Sequence, residues 1–173
     1  MDTIAILVRA LDQAGDVLDH VHTEALERPT PCEEWDVGRL ADHLVQTPRV
    51  LLAMMDGEAR DWSSPPPHLT QGWGPAFRVA ADDLVHAWHQ REHDGAGGAA
   101  WQCAELAVHT WDLAIALGLP TADLDPEVAE LGLSFMRESL TTDNRGGAFG
   151  PERPAQDDAG PYERIAAFSG RAV

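Results

Sequence analysis

The chain has 173 residues, of which 44% are hydrophobic, so we expect a single domain over residues 1–173 with its own core. Its 12 Lys and Arg against 29 Asp and Glu give a net charge of −17, which disfavours nucleic acid and anionic membrane surfaces as partners. Two cysteines without a CxxC pair exclude a disulfide scaffold. The longest apolar run, residues 50–55, is far shorter than the ~20 residues that span a bilayer. We therefore expect a soluble protein in the cytoplasm.

The first half of the chain predicts two helices and a long loop. Apolar residues at helical spacing indicate a first helix over residues 2–27. Asp36 is typical of an N-cap, so we expect a second helix over residues 36–55. Residues 56–74 contain three consecutive prolines and several glycines, a composition that predicts a loop between helices.

The second half predicts further helices and an irregular tail. Apolar periodicity, bounded by Gly, Pro and Asp residues, indicates helices over residues 75–94, 99–117, 125–140 and, more briefly, 162–168. Residues 141–160 are rich in Gly, Pro and Asp and predict irregular structure. No alternating strand pattern is present. The sequence thus predicts an all-α fold, a four-helix bundle with an additional C-terminal helix and an irregular tail.

The fourth predicted helix carries one narrow polar sector on a largely apolar surface. The sector consists of Gln102, Glu105, His109 and Asp112. Glu105 and His109 are four residues apart, which places them about 40° apart on one face. If the sector faces inward, the carboxylate and imidazole must pair or hold a metal, and if it faces water they form an ordinary i,i+4 pair. Asp112 either orients the imidazole of His109 or lies at the surface.

His43 lies on the apolar side of the second predicted helix and projects toward the same interior. A lone histidine there is typical of a hydrogen-bonded core residue. Together, however, His43, Glu105 and His109 supply three nitrogen and oxygen donors of the kind that borderline divalent metals accept, and they leave one position open, as in catalytic zinc sites. We therefore predict a metal site at these three residues, with zinc expected and nickel as the alternative. The plain alternative is that the three side chains only satisfy one another in the core.

A second group of candidate ligands and the two cysteine thiols are weaker candidates for a metal site or a nucleophile. A stripe at helical spacing lies opposite the apolar face of the third predicted helix, so we interpret it as a solvated surface; it comprises Asp82, His86, His89 and His93. Cys32 and Cys103 have no cationic neighbours in sequence that would activate them. We interpret both as structural thiols, and as neither ligands nor nucleophiles.

Three segments of the chain resemble one protein family. They are Thr30-Pro-Cys-Glu-Glu-Trp-Asp-Val-Gly-Arg-Leu-Ala-Asp-His43-Leu, Ala104-Glu105-Leu-Ala-Val-His109-Thr-Trp-Asp-Leu-Ala, and the tail from Phe149-Gly-Pro-Glu-Arg-Pro through Ala159 to Phe168-Ser-Gly-Arg. In this order they resemble the actinobacterial branch of the DinB/YfiT-like superfamily. That branch is similar to the metal-binding N-terminal domain of mycothiol-dependent maleylpyruvate isomerase.

The resemblance implies a four-helix bundle that binds a divalent metal, most often zinc. Carried over by motif, the ligands are His43, Glu105 and His109. The resemblance also implies a homodimer and a low-molecular-weight thiol, such as mycothiol or bacillithiol, as cofactor or nucleophile. The isomerase has a second, α/β domain, and the 33 residues after Leu140 are too few for such a domain, so we do not expect maleylpyruvate isomerisation.

Two functions from different classes follow from these observations. The leading hypothesis is a zinc-dependent thiol transferase or isomerase-like enzyme, in which a metal-bound thiolate attacks an electrophilic substrate. The alternative is a non-catalytic dimeric module that binds a metal or a small thiol for sensing or storage. The sequence names no general base and no catalytic residue beyond the three ligands.

Overall fold

A computed structural model of the chain describes residues 2–33, 35–58, 66, 68–91, 96–145 and 149–173. Over these residues the fold is all-helical, which confirms the predicted class. The helices are α1 (Thr3–Leu18), α2 (Val37–Met55), α3 (Trp73–Gln90), α4 (Ala96–Leu117), α5 (Pro126–Ser139) and α6 (Pro161–Phe168), with short 3-10 helices at Thr23–Ala25 and Thr121–Asp123. No helix within these ranges combines the length and the apolar character needed to cross a bilayer.

Helices α1 to α4 form a helical bundle. Both α1 and α2 pack against α3 and α4, so each of the four helices has two neighbours in the bundle. The additional helices α5 and α6 also pack against α4, and α5 contacts α1. Because α4 is surrounded by four helices, most of its apolar residues are buried, and Leu106, Val108 and Leu113 are fully so. α4 is therefore the central helix of the described fold.

Local signals set the start of α2 and the end of α4. The carboxylate of Asp36 accepts a hydrogen bond from the backbone N–H of Arg39 at 2.8 Å, which satisfies one of the amides that a helix leaves unpaired at its start. At the end of α4, Gly118 adopts a φ of +72°, and the chain reverses in a Schellman motif. Both boundaries agree with the sequence prediction.

The first helix is shorter than predicted, because it ends at Leu18 and not near residue 27. Val21 and Ala25, whose spacing extended the prediction, are each only 5% exposed, but Val21 lies after the helix and Ala25 in a 3-10 helix. Apolar periodicity reports burial, and here it continues across a change of backbone conformation. Where the chain turns, the carboxylate of Asp19 accepts a hydrogen bond from Arg78 of α3 at 3.1 Å.

The boundaries of α3 and α4 also differ from the prediction. α3 begins at Trp73, two residues before Pro75, and α4 begins at Ala96, three residues before residue 99. Gly98 therefore lies inside α4, where a Cβ atom would come within 3.3 Å of the Trp88 ring. Of the predicted loop over 56–74, residues 59–65 and 67 lie outside the described residues.

Candidate metal centre

The polar sector of α4 faces the interior of the bundle. Gln102, Glu105, His109 and Asp112 are all at most 8% exposed, so the water-facing alternative is wrong. Gln102 serves a separate purpose, because its Oε1 accepts a hydrogen bond from Trp88 Nε1 of α3 at 2.8 Å. The other three are buried polar groups that must be paired or bound to be stable there.

His43 of α2 meets Glu105 and His109 of α4 at one point. Glu105 Oε1 lies 3.1 Å from His43 Nε2 and 3.5 Å from His109 Nε2. One donor atom from each residue lies within 4.8 Å of the other two. The His43 side chain is 12% exposed, so the cluster lies just beneath the surface. The structure therefore brings the three predicted ligands together, although they come from two separate helices.

The donor set fits a divalent metal ion. Donors bound at about 2.0–2.1 Å in a tetrahedral arrangement are about 3.3–3.4 Å apart. The two separations from Glu105 Oε1, 3.1 and 3.5 Å, bracket that value. Two imidazoles and one carboxylate also match the ligand preference of zinc, with a fourth position left for another molecule. The 3.1 Å separation also suits a direct hydrogen bond between Glu105 and His43, as in the plain alternative of a self-satisfied core cluster, and metal analysis distinguishes the two.

The second ring nitrogen of His109 faces Asp112. His109 Nδ1 lies 3.3 Å from Asp112 Oδ2, and Arg171 from the tail binds both oxygens of the same carboxylate. Burial by itself raises the pKa of Asp112, but the hydrogen bonds and charges of His109 and Arg171 outweigh it and hold that pKa below its ordinary value. The sequence allowed Asp112 either to orient the His109 imidazole or to lie at the surface. The structure shows it buried behind the imidazole.

Trp35, just before α2, covers the two imidazoles. Its ring stacks on that of His109 at a centroid distance of 5.5 Å and lies 4.5 Å from the ring of His43. The hydroxyl of Thr30 donates to the backbone carbonyl of Trp35 at 2.7 Å, which stabilises the irregular segment that carries the tryptophan. Sequence analysis did not assign Trp35 to the site. Its place directly before an N-cap, two turns from His43, was the available signal.

The two cysteines lie in different surroundings. Cys103 is fully buried in α4, and burial raises the pKa of its thiol to about 12, so it is an inert structural thiol, as predicted. Cys32 is half-buried, and its sulfur lies within 4.8 Å of donor atoms of His109 and Asp112. The sequence did not predict this proximity, because Cys32 lies in an irregular segment whose path has no periodicity.

The histidine stripe of α3 is exposed. Asp82, His86 and His89 all lie at the surface, and both described histidines make hydrogen bonds within their own helix. His93, the fourth member of the stripe, lies outside the described residues. For the described members, the interpretation as a solvated face is confirmed.

Two proteins of Mycobacterium tuberculosis are similar to the chain over its whole length. Uncharacterized protein Rv0738 of strain ATCC 25618 / H37Rv and uncharacterized protein MT0763 of strain CDC 1551 / Oshkosh are each 30% identical over 182 residues, which cover 100% of this chain and of theirs. The chain belongs to the Rv0738 family. No protein-family model and no solved structure matches the chain. The names of these Rv0738-family members state no activity, and the resemblance to the DinB/YfiT-like superfamily stays a prediction.

Proposed function

We propose that this member of the Rv0738 family binds a divalent metal ion and uses it to activate a low-molecular-weight thiol for transfer or isomerisation. The ligands are His43, Glu105 and His109, and zinc is the first candidate, with nickel the alternative. One observation carries the proposal: Glu105 Oε1 lies 3.1 Å from His43 Nε2 and 3.5 Å from His109 Nε2, and one donor atom from each of the three residues lies within 4.8 Å of the other two. The DinB/YfiT-like resemblance supports mycothiol or a similar thiol as the co-substrate.

Each residue of the centre has a distinct task in this proposal. The imidazoles of His43 and His109 present neutral Nε2 donors, and Glu105 supplies a negative charge that holds a cation. A divalent ion, when bound, supplies positive charge that favours the thiolate form of a coordinated thiol. Asp112 holds the His109 imidazole from behind, and Trp35 packs over both rings and shields them from water on that side.

Metal analysis of protein purified without a histidine tag tests the ligand set. We expect about one ion per chain in the wild type and a loss of most of it in His43→Ala and Glu105→Ala, since each variant leaves two protein ligands. His89→Ala is the matched control, because it removes an exposed histidine from α3, and we expect its metal content to be unchanged. Undiminished stoichiometry in His43→Ala would contradict the proposed centre.

A turnover assay with mycothiol and a panel of electrophiles tests the reaction. Thiol transfer that requires the metal and disappears in His109→Ala supports an enzyme. Saturable thiol binding without transfer to any electrophile instead favours the alternative, a non-catalytic metal- or thiol-binding module. The resemblance also leads us to propose a homodimer, for which light scattering should give twice the mass of one chain.

A further inference from the structure

The tail of the chain reaches the candidate metal centre through a buried charge pair. Arg171 lies 59 residues beyond Asp112, yet its Nε donates to Oδ1 at 3.2 Å and its Nη2 to Oδ2 at 2.9 Å. The side chains are 6% and 0% exposed. A pair buried this deeply pays a large desolvation cost, so its attraction adds little net stability, and breaking one side is strongly destabilising. The pair therefore calls for an explanation other than stability.

A helix cap places the guanidinium of Arg171. α6 ends in a Schellman motif, in which the N–H of Gly170 donates to Ala167 O and the N–H of Arg171 to Ala166 O, each at 3.0 Å. Gly170 has a φ of +95°, a conformation that glycine adopts without strain. Arg171 Nη1 also donates to the backbone carbonyl of Ser169 at 3.1 Å. Three side-chain hydrogen bonds thus hold the guanidinium in one orientation.

Asp112 transmits this orientation to His109. Its Oδ2, which accepts from Arg171 Nη2, also lies 3.3 Å from His109 Nδ1. The carboxylate of Asp112 favours the proton on Nδ1, in competition with Glu105 Oε1, which lies farther away, at 3.5 Å from Nε2, and is shared with His43 Nε2 at 3.1 Å. Nε2 is the atom that faces Glu105 Oε1. Metal-binding histidines typically donate their other N–H to such an acceptor, which fixes the ring and its tautomer.

We propose that Arg171 is a positioning residue of the metal centre, which acts through Asp112 to fix the orientation and the tautomer of His109. The inference deepens the proposed function and rests on it for the role of the ion. The tautomer itself is a property of the metal-free chain. Measuring the tautomer and the metal affinity separately therefore tells a failure of the inference from a failure of the proposed function.

Nitrogen-15 NMR of histidine-labelled, metal-free protein at about pH 8, where unperturbed imidazoles are neutral, reports the tautomer. The His109 signals are assigned by their loss in His109→Gln. We expect the Nδ1–H tautomer in the wild type and a mixture of both tautomers in Arg171→Gln. Arg171→Lys retains the positive charge but loses the bidentate contact with Asp112. We therefore expect its fraction of the Nδ1–H tautomer to lie between those of the wild type and Arg171→Gln. If the glutamine variant does not fold, the lysine variant carries the comparison.

Zinc affinity, measured by competition with a chelator, gives the second readout. We expect Arg171→Gln to raise the Kd for zinc by about 10–100-fold and to change the absorption spectrum of the cobalt-substituted protein, because the His109 ligand is no longer held. Arg145→Gln is the matched control: this arginine clamps the same tail by donating to Phe168 O at 2.6 Å and to Gly150 O at 3.1 Å. It should lower the unfolding temperature but leave the Kd within about twofold.

Three results would overturn the inference: a wild-type His109 with its proton on Nε2, an Arg171→Gln variant with unchanged tautomer and Kd, or an equal rise in Kd in Arg145→Gln. The last would mean that the tail acts through packing alone. The two proposals can also fail separately. If His109 holds the Nδ1–H tautomer in the wild type and loses it in Arg171→Gln, but the wild type binds no zinc, the positioning role of Arg171 is supported and the proposed function is contradicted.

Discussion

Two glycines end helices in the same way but have different surroundings, which makes Gly170→Ala an informative perturbation of the tail. Gly118 after α4 and Gly170 after α6 have φ values of +72° and +95°. A Cβ atom at Gly118 would meet nothing within 4 Å, whereas one at Gly170 would lie 2.6 Å from the Cα of Gly150. The two alanine variants therefore share the backbone strain, and only the second adds a steric conflict.

The expected magnitudes follow from these two contributions. A left-handed conformation costs alanine about 1–2 kcal/mol, which is the loss in unfolding free energy that we expect for Gly118→Ala. Overpacking adds about 1–3 kcal/mol, and at Gly170 the conflict is with backbone atoms that cannot rotate away. Gly170→Ala should thus lose about 2–5 kcal/mol. At about 2–4 °C per kcal/mol for a chain of this size, its Tm should fall by roughly 4–20 °C.

Urea unfolding monitored by circular dichroism, with calorimetry for the Tm, measures both losses. An unchanged urea m-value in both variants checks that unfolding exposes the same surface. Because Arg171 follows directly after Gly170, we also expect zinc affinity to fall in Gly170→Ala and to stay unchanged in Gly118→Ala. Equal losses of stability in the two variants would refute the close approach of Gly170 to Gly150.

Two further predictions concern buried polar groups of α2 and α4. Asp42→Ala removes the carboxylate that accepts hydrogen bonds from Trp73 Nε1 at 2.9 Å and from the N–H of Leu69 at 3.2 Å. Donors left unpaired cost about 1–3 kcal/mol each, so for these two donors urea unfolding should show a loss of about 2–6 kcal/mol. His68→Ala removes an exposed partner of the same carboxylate and should cost much less. Cys103, with its raised pKa of about 12, should react with iodoacetamide only after unfolding, and mass spectrometry that finds it modified in the native protein would contradict its burial.

The helices and the polar sector of α4 could be predicted because their signals are local, whereas the inward direction of that sector became plain only from the packing. Asp36 and Gly118 mark helix ends through their own hydrogen bonds and backbone angles, whatever packs nearby. His43, Glu105 and His109 could be linked because each lies on a helix face whose direction follows from a fixed periodicity. The same reasoning predicts too long a first helix, because buried residues continue at helical spacing beyond Leu18, where the helix ends.

Arg171 and Trp35 could not be placed from the sequence, because both lie outside the helices. In an irregular segment no periodicity tells where a side chain points. Gly170, two residues after the predicted helix over 162–168, has a φ of +95°, and the chain reverses there. The partner that Arg171 reaches after this reversal depends on how α6 packs against α4, and these two helices are far apart in the chain.

The proposed function requires that His43, Glu105 and His109 hold one metal ion. Anomalous diffraction at the zinc edge, from crystals of protein loaded with zinc, shows whether they do. We predict a single strong peak about 2.0–2.2 Å from Nε2 of both histidines and from an oxygen of Glu105. A peak on the exposed histidines of α3 instead, or no peak among the three side chains, would contradict the claim.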